Sequence, residues 1–288
     1  MKRTILIIFC LVLFAAMSMV GCGVTDKTSI DLTPGTYSNL SDEKTLDEVA
    51  DVLKNAGIDS TCTEEFKDAV NLYNDTINRT SLVKEGFVEW QKMPQYDEGT
   101  ISELWQKKYP MFPGFNCRLT SYGLLKDFIS IKNTTIANPK DVFMDDMSLD
   151  NWPLTPFTEE ERACFDSLFS TVSTEASKDI NVHYESFMKS WADKGISFDS
   201  DSPVSLICVV LHTTLDGNEL FVGHAGVAVS MEKEILFIEK LSFESPYQAI
   251  VFSSKKELYD YLMETYNTSW EENAAPPFIV ENDQLLEY

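Results

Sequence analysis

The sequence predicts an α+β fold in which helices precede an antiparallel sheet. Apolar residues recur at helical spacing in several segments before residue 200. After residue 204 the pattern changes to short apolar strands separated by turn residues, which is typical of an antiparallel meander. The chain has 288 residues and no internal repeat, so we expect one domain over residues 41–288, with a helical N-terminal lobe at residues 41–115.

The first half of this domain predicts helices that pack through one apolar face. Thr45-Leu-Asp-Glu48 has the form of a capping box, and apolar residues follow at helical spacing up to Gly57. Two prolines and a glycine in residues 109–115 later interrupt the helical pattern. The helices predicted on these grounds are residues 45–57, 63–77, 100–108 and a helix that begins at or just after Cys117.

The middle of the chain combines loops with two further helices. Residues 133–157 contain three prolines and predict a loop-rich segment that forms a flap over a cleft. Thr158 caps the next helix, whose apolar face carries Cys164. A later helix over residues 177–194 carries His183 on its apolar face, which favours a packing role for this histidine over a role as a ligand.

The last third of the chain predicts a sheet that is followed by a helix. Asp216-Gly-Asn218 is a hairpin turn between two strands, and Ser254 caps a helix after the last of them. Residues 275–280 are expected to form an extended tail along the domain. The predicted strands are residues 205–211, 219–229, 235–241 and 249–252.

The N-terminus has the features of an export signal. A short basic start precedes an apolar run over residues 5–16, and Gly21 and Cys22 follow, an order that resembles a bacterial lipobox. We therefore expect a signal peptide over residues 1–21, lipid such as palmitate on Cys22, and a tether over residues 22–40. Such a protein would reside on the outer face of the bacterial cell membrane. The alternatives are ordinary signal cleavage or an uncleaved anchor, in which Cys22 has no special role.

Composition argues against several partners and cofactors. The formal net charge is −23, so we expect no polybasic surface for nucleic acid or for anionic lipid headgroups. Cys62, Cys164 and Cys208 are widely spaced and form no Cys-x-x-Cys pair, which argues against a zinc site and favours free thiols. The sequence contains no phosphate-binding glycine loop and no nucleotide fingerprint, so we expect no cofactor.

Cys117 is the candidate nucleophile. At the N-terminus of a helix, unpaired backbone N–H groups and the helix dipole favour both a thiolate and a developing oxyanion. The guanidinium of Arg118 acts in the same direction if it folds back towards the thiol. By itself, the pattern also fits a small core residue, because free cysteine is among the most buried residue types.

His224 and Glu239 are the candidate base and its orienting carboxylate. Two glycines flank His224 in an otherwise apolar strand, and the close approach of a catalytic cleft is one explanation for them. With a four-residue loop at residues 230–233, Glu239 faces His224 across the ladder and would hold a charged imidazole in place. A five-residue loop would instead set Lys240 opposite His224.

Two other residues compete for the roles of nucleophile and base. Cys208 lies in the middle of an apolar strand, without a helix N-terminus to activate it, and is expected to be a core residue. His212 lies near the hairpin end of the same strand and is expected to be exposed. We therefore favour Cys117 and His224.

The order of Cys117 on a helix and His224 and Glu239 on two successive strands resembles the papain-like cysteine hydrolases of the NlpC type. In that family a cysteine opens a helix, a strand similar to His224-Ala-Gly-Val227 carries the base, and a polar residue on the next strand orients the base. The resemblance implies a papain-like core and a hydrolase or acyltransferase that acts on amide bonds, with cell-wall peptides as substrates.

A second resemblance covers nearly all of the chain after the predicted tether. Phe115-Asn-Cys-Arg-Leu119, Gly223-His-Ala-Gly-Val227 and Phe237-Ile-Glu-Lys-Leu-Ser-Phe-Glu-Ser-Pro-Tyr-Gln-Ala-Ile250 are similar to motifs of an uncharacterised family of Gram-positive lipoproteins, domain of unknown function 4300. That family implies a lipoprotein but no activity.

Two functions follow from the sequence: a lipid-anchored cysteine hydrolase, which we favour, and a non-catalytic surface lipoprotein that binds a peptide or protein through residues 109–115 and 151–157.

Overall fold

The computed structural model describes residues 32–91, 94–135, 140–199, 201–268 and 271–288, without the side chain of Asp141. The predicted signal peptide, Cys22 and residues 22–31 of the predicted tether lie outside the described residues. Within the described ranges, no helix combines the length and the apolar character that crossing a membrane requires.

The described chain alternates short irregular segments with helices and strands. Its α-helices are α1 (Glu43–Asn55), α2 (Ser60–Thr76), α3 (Glu98–Lys108), α4 (Cys117–Leu125), α5 (Phe143–Asp150), α6 (Glu159–Leu168), α7 (Ile180–Lys194) and α8 (Lys255–Tyr266), and a 3-10 helix covers Lys140–Val142. Its strands are β1 (Thr36–Ser38), β2 (Val88–Glu89), β3 (Ile129–Ser130), β4 (Val172–Ser173), β5 (Ser197–Phe198), β6 (Val204–Thr213), β7 (Glu219–Ser230), β8 (Ile235–Lys240), β9 (Tyr247–Phe252), β10 (Phe278–Glu281) and β11 (Gln284–Leu286).

The described strands form one large antiparallel sheet and one short pair. The large sheet has the order β11-β10-β6-β7-β8-β9-β1-β2, with β4 paired to the start of β7, and β3 pairs with β5 apart from it. The central β6-β7-β8-β9 run is the predicted meander. With three helices before residue 115 and the sheet strands mainly after residue 204, the predicted α+β class is confirmed.

Both faces of this sheet are covered by helices. Leu46 of α1, Val70 of α2 and Leu124 of α4 share one apolar core with Val227 and Ile238 of the sheet. On the opposite face, α8 contributes Leu258 and Leu262 to a second core with other residues of the same strands. Burial on two faces explains why the meander strands are almost continuously apolar.

Several boundaries differ from the predicted ones. Helix α1 begins at Glu43 and not at Thr45, because the Asp42 side chain accepts a hydrogen bond from the N–H of Thr45 and caps the helix. The predicted capping box was therefore wrong. Asp59 caps α2 in the same way, so that this helix also begins earlier than predicted.

Three segments predicted to lie outside the helices and the sheet contribute regular elements to the fold. Residues 36–38, which were assigned to the tether, form β1 against β9, so the folded domain begins before residue 41. The loop-rich segment of residues 133–157 contains α5. The predicted tail of residues 275–280 ends in β10, which extends the sheet beyond β6.

Candidate active site

Cys117 is the first residue of α4, as the sequence predicts. Asn116 caps this helix, because its Oδ1 atom accepts a hydrogen bond of 2.9 Å from the backbone N–H of Leu119. The backbone N–H of Cys117 belongs to the first turn, where a helix supplies no carbonyl partner of its own. Cys117 therefore lies at the positive end of the α4 dipole.

A buried acid in α5 orients this end of α4. Asp145 is fully buried, and its Oδ1 accepts a hydrogen bond of 2.7 Å from Asn116 Nδ2 while its Oδ2 accepts one of 2.5 Å from Arg118 Nη2. Arg118 Nη1 also donates to the carbonyl oxygen of Val222 on β7 at 3.0 Å. These contacts join α4 to α5 and to the sheet. Sequence reasoning missed Asp145, because nothing local distinguishes it from the aspartates beside it.

The thiol meets the sheet where β7 and β8 separate. The ladder between these strands ends at the pair Gly226–Glu239, although β7 continues beyond it alongside β6. Beyond that pair, the backbone N–H of Ala225 is hydrogen-bonded to the thiol of Cys117. The carbonyl oxygen of Val222 accepts a hydrogen bond from the guanidinium of Arg118. The start of α4 thus supplies partners to the open edge of β7.

The register of β7 and β8 differs from the predicted one by two residues. The connecting loop has four residues, as predicted, but it covers residues 231–234, so that Gly226 and not His224 lies directly opposite Glu239. A slip of one residue would turn a side chain to the other face of the sheet, whereas a shift of two preserves the face. Glu239 therefore reaches His224 along the diagonal.

The two glycines beside His224 allow a close approach to the backbone, as predicted, and the groups that approach it are neighbouring side chains. A Cβ atom at Gly223 would lie 2.4 Å from Cδ1 of Leu211, and one at Gly226 would lie 2.2 Å from Cζ of Phe237. Gly223 is also the extra residue of a bulge in β7 opposite β6.

His224 and Glu239 form a buried hydrogen-bonded pair. Nε2 of His224 lies 2.6 Å from Oε2 of Glu239, and the two side chains are 2% and 0% exposed. The second carboxylate oxygen, Oε1, accepts a hydrogen bond of 2.5 Å from the hydroxyl of Tyr261 in α8. Burial and the nearby carboxylate raise the pKa of Tyr261 well above its usual value, so that it remains a donor. Glu239 is therefore held from two sides and leaves Nδ1 of His224 for the thiol.

The electrostatics favour a charged thiol and a charged imidazole. Burial opposes ionisation of Cys117, but the imidazolium of His224, a hydrogen bond from it and the charge of Arg118 outweigh burial and lower the pKa of the thiol. Burial also opposes charging of His224, but the thiolate and Glu239 raise its pKa to about 9. Because the two groups titrate together, we describe the result as a thiolate–imidazolium pair at neutral pH.

This pair is enclosed by protein. Cys117 is 7% exposed and His224 is 1% exposed. Tyr266, the last residue of α8, stacks on the imidazole of His224 with ring centroids 4.5 Å apart and an interplanar angle of 18°. Sequence reasoning did not identify Tyr261 or Tyr266 as site residues, because the apolar stripe of α8 predicts only packing.

Lys240 points to the sheet face opposite Glu239 and fixes the loop after β8. Its buried Nζ donates to three carbonyls of residues 242–245 and lies 4.0 Å from the ring centroid of Tyr73. Burial holds the pKa of Lys240 well below its usual value. The loop in turn packs on the segment before Cys117, since a Cβ atom at Gly114 (φ +132°) would lie 2.3 Å from the carbonyl oxygen of Phe243. This contact requires glycine.

The structure also locates the competing residues. Cys208 is fully buried in β6, so its predicted core position is confirmed. His212 was predicted to be exposed, but it is 3% exposed, and its Nδ1 accepts a hydrogen bond of 2.9 Å from the N–H of Ala275. That prediction was wrong because the C-terminal tail covers the end of β6. His183 is buried against His212 and hydrogen-bonded to Thr174, which agrees with the packing role predicted for it.

One group of side chains in the described part of the chain has the spacing of metal ligands. Ligand atoms of Asp59, Cys62 and Asp127 lie within 4.8 Å of one another. However, Asp59 already caps α2, and the Cys62 thiol lies 3.6 Å from Asp127 Oδ2. Burial and nearby carboxylates also raise the pKa of Cys62 to about 12. Capping and this thiol contact account for the group, and we assign no metal to it.

Comparison with known proteins places the chain in a family. Residues 36–286 match the family described as Domain of unknown function (DUF4300). No curated protein and no solved structure matches the chain. The matched region extends from the first residue of β1 to the last residue of β11, so it includes the whole sheet and all the site residues described above. The chain therefore belongs to the DUF4300 family.

Proposed function

We propose that this protein is a cysteine hydrolase or acyltransferase that acts on amide bonds. One observation carries the proposal: the thiol of Cys117 is hydrogen-bonded to His224, whose Nε2 lies 2.6 Å from Glu239. In this kind of arrangement a base activates a nucleophile and a third group orients the base. A papain-like core of the NlpC type belongs to the same proposal, supported by the order of α4, β7 and β8.

The proposed reaction uses the thiolate–imidazolium pair directly. The Cys117 thiolate attacks the carbonyl carbon of an amide, so that a C–S bond forms and negative charge develops on the carbonyl oxygen. The backbone N–H of Cys117 would donate a hydrogen bond to that oxygen at the start of α4. His224 then transfers its proton to the amine nitrogen, the C–N bond breaks and the amine leaves.

The second half of the reaction releases the acyl group. Water, or an amine that accepts the acyl group, attacks the thioester carbon while His224 removes its proton. The C–S bond breaks and the thiolate of Cys117 is restored. Glu239 and Tyr261 do not exchange protons in this scheme. Their role is to hold the imidazole in one orientation and one tautomer.

We further propose that lipid on Cys22 holds the protein at the outer face of the bacterial membrane and that cell-wall peptides are its substrates. The lipobox-like residues before Cys22 support the first point, and the NlpC-type order of site residues supports the second. The substitution Cys22→Ala should release the protein from the membrane fraction and abolish its labelling by palmitate. Membrane retention of the unlabelled variant would contradict the lipid anchor.

The reactivity of Cys117 tests the cysteine hydrolase. Alkylation by iodoacetamide at pH 7, measured by mass spectrometry of the Cys117 peptide, should be fast in the unaltered protein. It should be lost in His224→Ala, because without the imidazolium burial raises the pKa of the thiol. His212→Ala removes a buried histidine elsewhere and should leave the rate unchanged. An equal loss in both variants, with both folded, would contradict the assignment of His224.

A non-catalytic binding role is the second candidate, and an exposed apolar groove favours it. The groove, lined by residues 109–113, residues 242–244 and the methionines of α5, has a volume of about 620 Å³. Met111 and Met147 are 65% and 40% exposed beside it. A protein with this role alone would show no greater reactivity at Cys117 than at its other thiols, so the alkylation experiment distinguishes the two candidates.

A further inference from the structure

Tyr266 separates the enclosed pair from a pocket on the surface. One face of its ring is stacked on the imidazole of His224. The residue also lines a pocket of about 250 Å³, together with Leu211 and residues 274–277. In the described part of the chain the Tyr266 hydroxyl makes no hydrogen bond, so a rotation of this side chain would give up its stacking on His224 and its apolar packing beside α8 but would break no hydrogen bond.

The same pocket approaches His224 from a second direction. The Leu211 side chain occupies the space beside Gly223, the residue before His224 in β7, because a Cβ atom there would lie 2.4 Å from Cδ1 of Leu211. The pocket is therefore bounded by one residue stacked on the imidazole and by another packed on the adjacent backbone. The pocket therefore lies beside His224 and not along the body of α4.

We propose that this pocket binds the amine portion of the substrate and that Tyr266 is the gate between the pocket and His224. The inference rests on the proposed function, because in an amide reaction His224 must come within hydrogen-bond reach of the amine nitrogen. The part of the substrate attached to that nitrogen must then lie beside the imidazole. With Tyr266 rotated away from His224, the pocket offers the space for it.

The size and chemistry of the pocket restrict the amine. Its volume is below the range of about 300–1,000 Å³ typical of pockets for drug-sized ligands, so it fits one small group. Leu211, Ala274 and two prolines form apolar walls, and the charged residues of the lining are Glu271, Glu272 and Lys178. Lys178 Nζ donates to the carbonyl oxygen of Glu272 at 2.8 Å, and Glu271 accepts from Thr213 and Thr214, so two carboxylates face one ammonium group and the net charge of the lining is negative. Aliphatic amines are cationic at neutral pH. We therefore infer a small aliphatic amine, either as the leaving group or as the acceptor of the acyl group.

The gate is tested by the size of the reagent that reaches Cys117. Rates of Cys117 alkylation are measured for iodoacetamide and for a fluorescein-linked iodoacetamide in the unaltered protein and in Tyr266→Ala and Tyr266→Phe. The proposal predicts that Tyr266→Ala raises the ratio of the large-reagent rate to the small-reagent rate at least about tenfold, whereas Tyr266→Phe leaves it unchanged. Tyr261→Phe is the matched control, because it removes the hydrogen bond to Glu239 and should change the pH profile but not the size ratio.

Three outcomes of this experiment are distinct. A reactive Cys117 with the same size ratio in every variant would overturn the gate and leave the proposed function standing. A Cys117 that stays unreactive even in folded Tyr266→Ala would overturn the proposed function itself. If Tyr266→Ala shows no cooperative melting transition, Tyr266→Leu replaces it with the same expectation, because leucine keeps apolar volume at the end of α8 but cannot stack as a planar ring.

The amine pocket is tested by protection of the thiol. Propylamine should slow alkylation of Cys117 by iodoacetamide in a saturable manner at pH 7, and propionate of the same length should not, because the carboxylates of the pocket repel it. Ala274→Trp, which fills the pocket, should reduce the protection by propylamine at least about fivefold. No protection, or equal protection by propionate, would overturn the assignment of the pocket to an amine.

Discussion

Cys117 and Cys62 occupy similar places in the chain and differ in their chemistry. Both are buried, at 7% and 2% exposed, and both lie in the first turn of a helix, α4 and α2 respectively. Burial and the carboxylate of Asp127 raise the pKa of Cys62 to about 12, although Lys126 opposes them. His224, Arg118 and an N–H of β7 lower the pKa of Cys117. A helix N-terminus alone therefore does not lower the pKa of a thiol. The groups that the tertiary structure brings to the sulfur determine its pKa.

The largest expected effect is the difference in reactivity between these two thiols. At pH 7 a thiol with a pKa of about 12, such as Cys62, is ionised in about one molecule in 10⁵. A thiolate of high pKa is intrinsically more nucleophilic, which offsets part of this difference. We therefore expect Cys117 to react with iodoacetamide at least about 100-fold faster than Cys62. Quantitative mass spectrometry of the two peptides measures the ratio. Similar rates at pH 7 would show that the two environments do not differ as described.

Removal of the acid that orients α4 should have the next largest effect. Asp145→Ala leaves Arg118 and Asn116 without their buried partner and should lower the free energy of unfolding by about 3–5 kcal/mol. Asp150→Ala, which removes a more exposed partner of Arg162, should cost no more than about 1 kcal/mol. Urea denaturation measures both values. Equal effects would show that Asp145 does not stabilise this end of the helix.

Loss of the carboxylate beside His224 should weaken the ion pair. Glu239→Gln removes the charge that stabilises the imidazolium, so the pKa of His224 should fall. Because a less stable imidazolium stabilises the thiolate less, the pKa of Cys117 should rise, and the pH midpoint of Cys117 alkylation should move upward. We expect the rate at pH 7 to fall about 10- to 100-fold. Glu232→Gln, in the exposed loop after β7, is the control and should have no effect. A midpoint that moves downward would contradict the role of Glu239.

The smallest expected effect concerns Cys62. Asp127→Asn keeps a hydrogen-bond acceptor near the thiol but removes the charge, so the pKa of Cys62 should fall. Because Asp127 is exposed and its charge is screened, we expect only about a two- to fivefold gain in alkylation of Cys62 at pH 9. The rate at Cys117 in the same sample is the internal control. No change at Cys62 would mean that burial alone raises its pKa.

Much of the fold follows from local patterns. The cap at Thr158, the cap at Ser254 and the hairpin turn at residues 216–218 depend on residues close together in the chain, and each is found where it is predicted. The four-residue loop between β7 and β8 is also found, displaced by one residue. Strand β1 was missed, because its three residues have no pattern of their own and are ordered only by pairing with β9.

Some residues of the candidate site could be predicted from local patterns, and others could not. Cys117 at a helix start, with His224 and Glu239 on the same face of neighbouring strands, follows from periodicity and loop length, because a register shift of two residues preserves the face. Asp145, Tyr261 and Tyr266 could not be found by these means. Each acts on residues that are distant in the sequence, and their own segments predict only ordinary helix packing or a loop.

The sequence by itself determined the α+β class, the order of helices and strands, and the element that carries each of Cys117, His224 and Glu239. These features depend on residue spacing and on caps, which act over a few residues of the chain. Only the tertiary structure decided that Cys117 is an acidic thiol, that Cys62 is a weakly acidic one, and that Tyr266 covers His224. The reason is that a pKa and an exposed fraction depend on distances in space between groups that the chain keeps far apart in sequence.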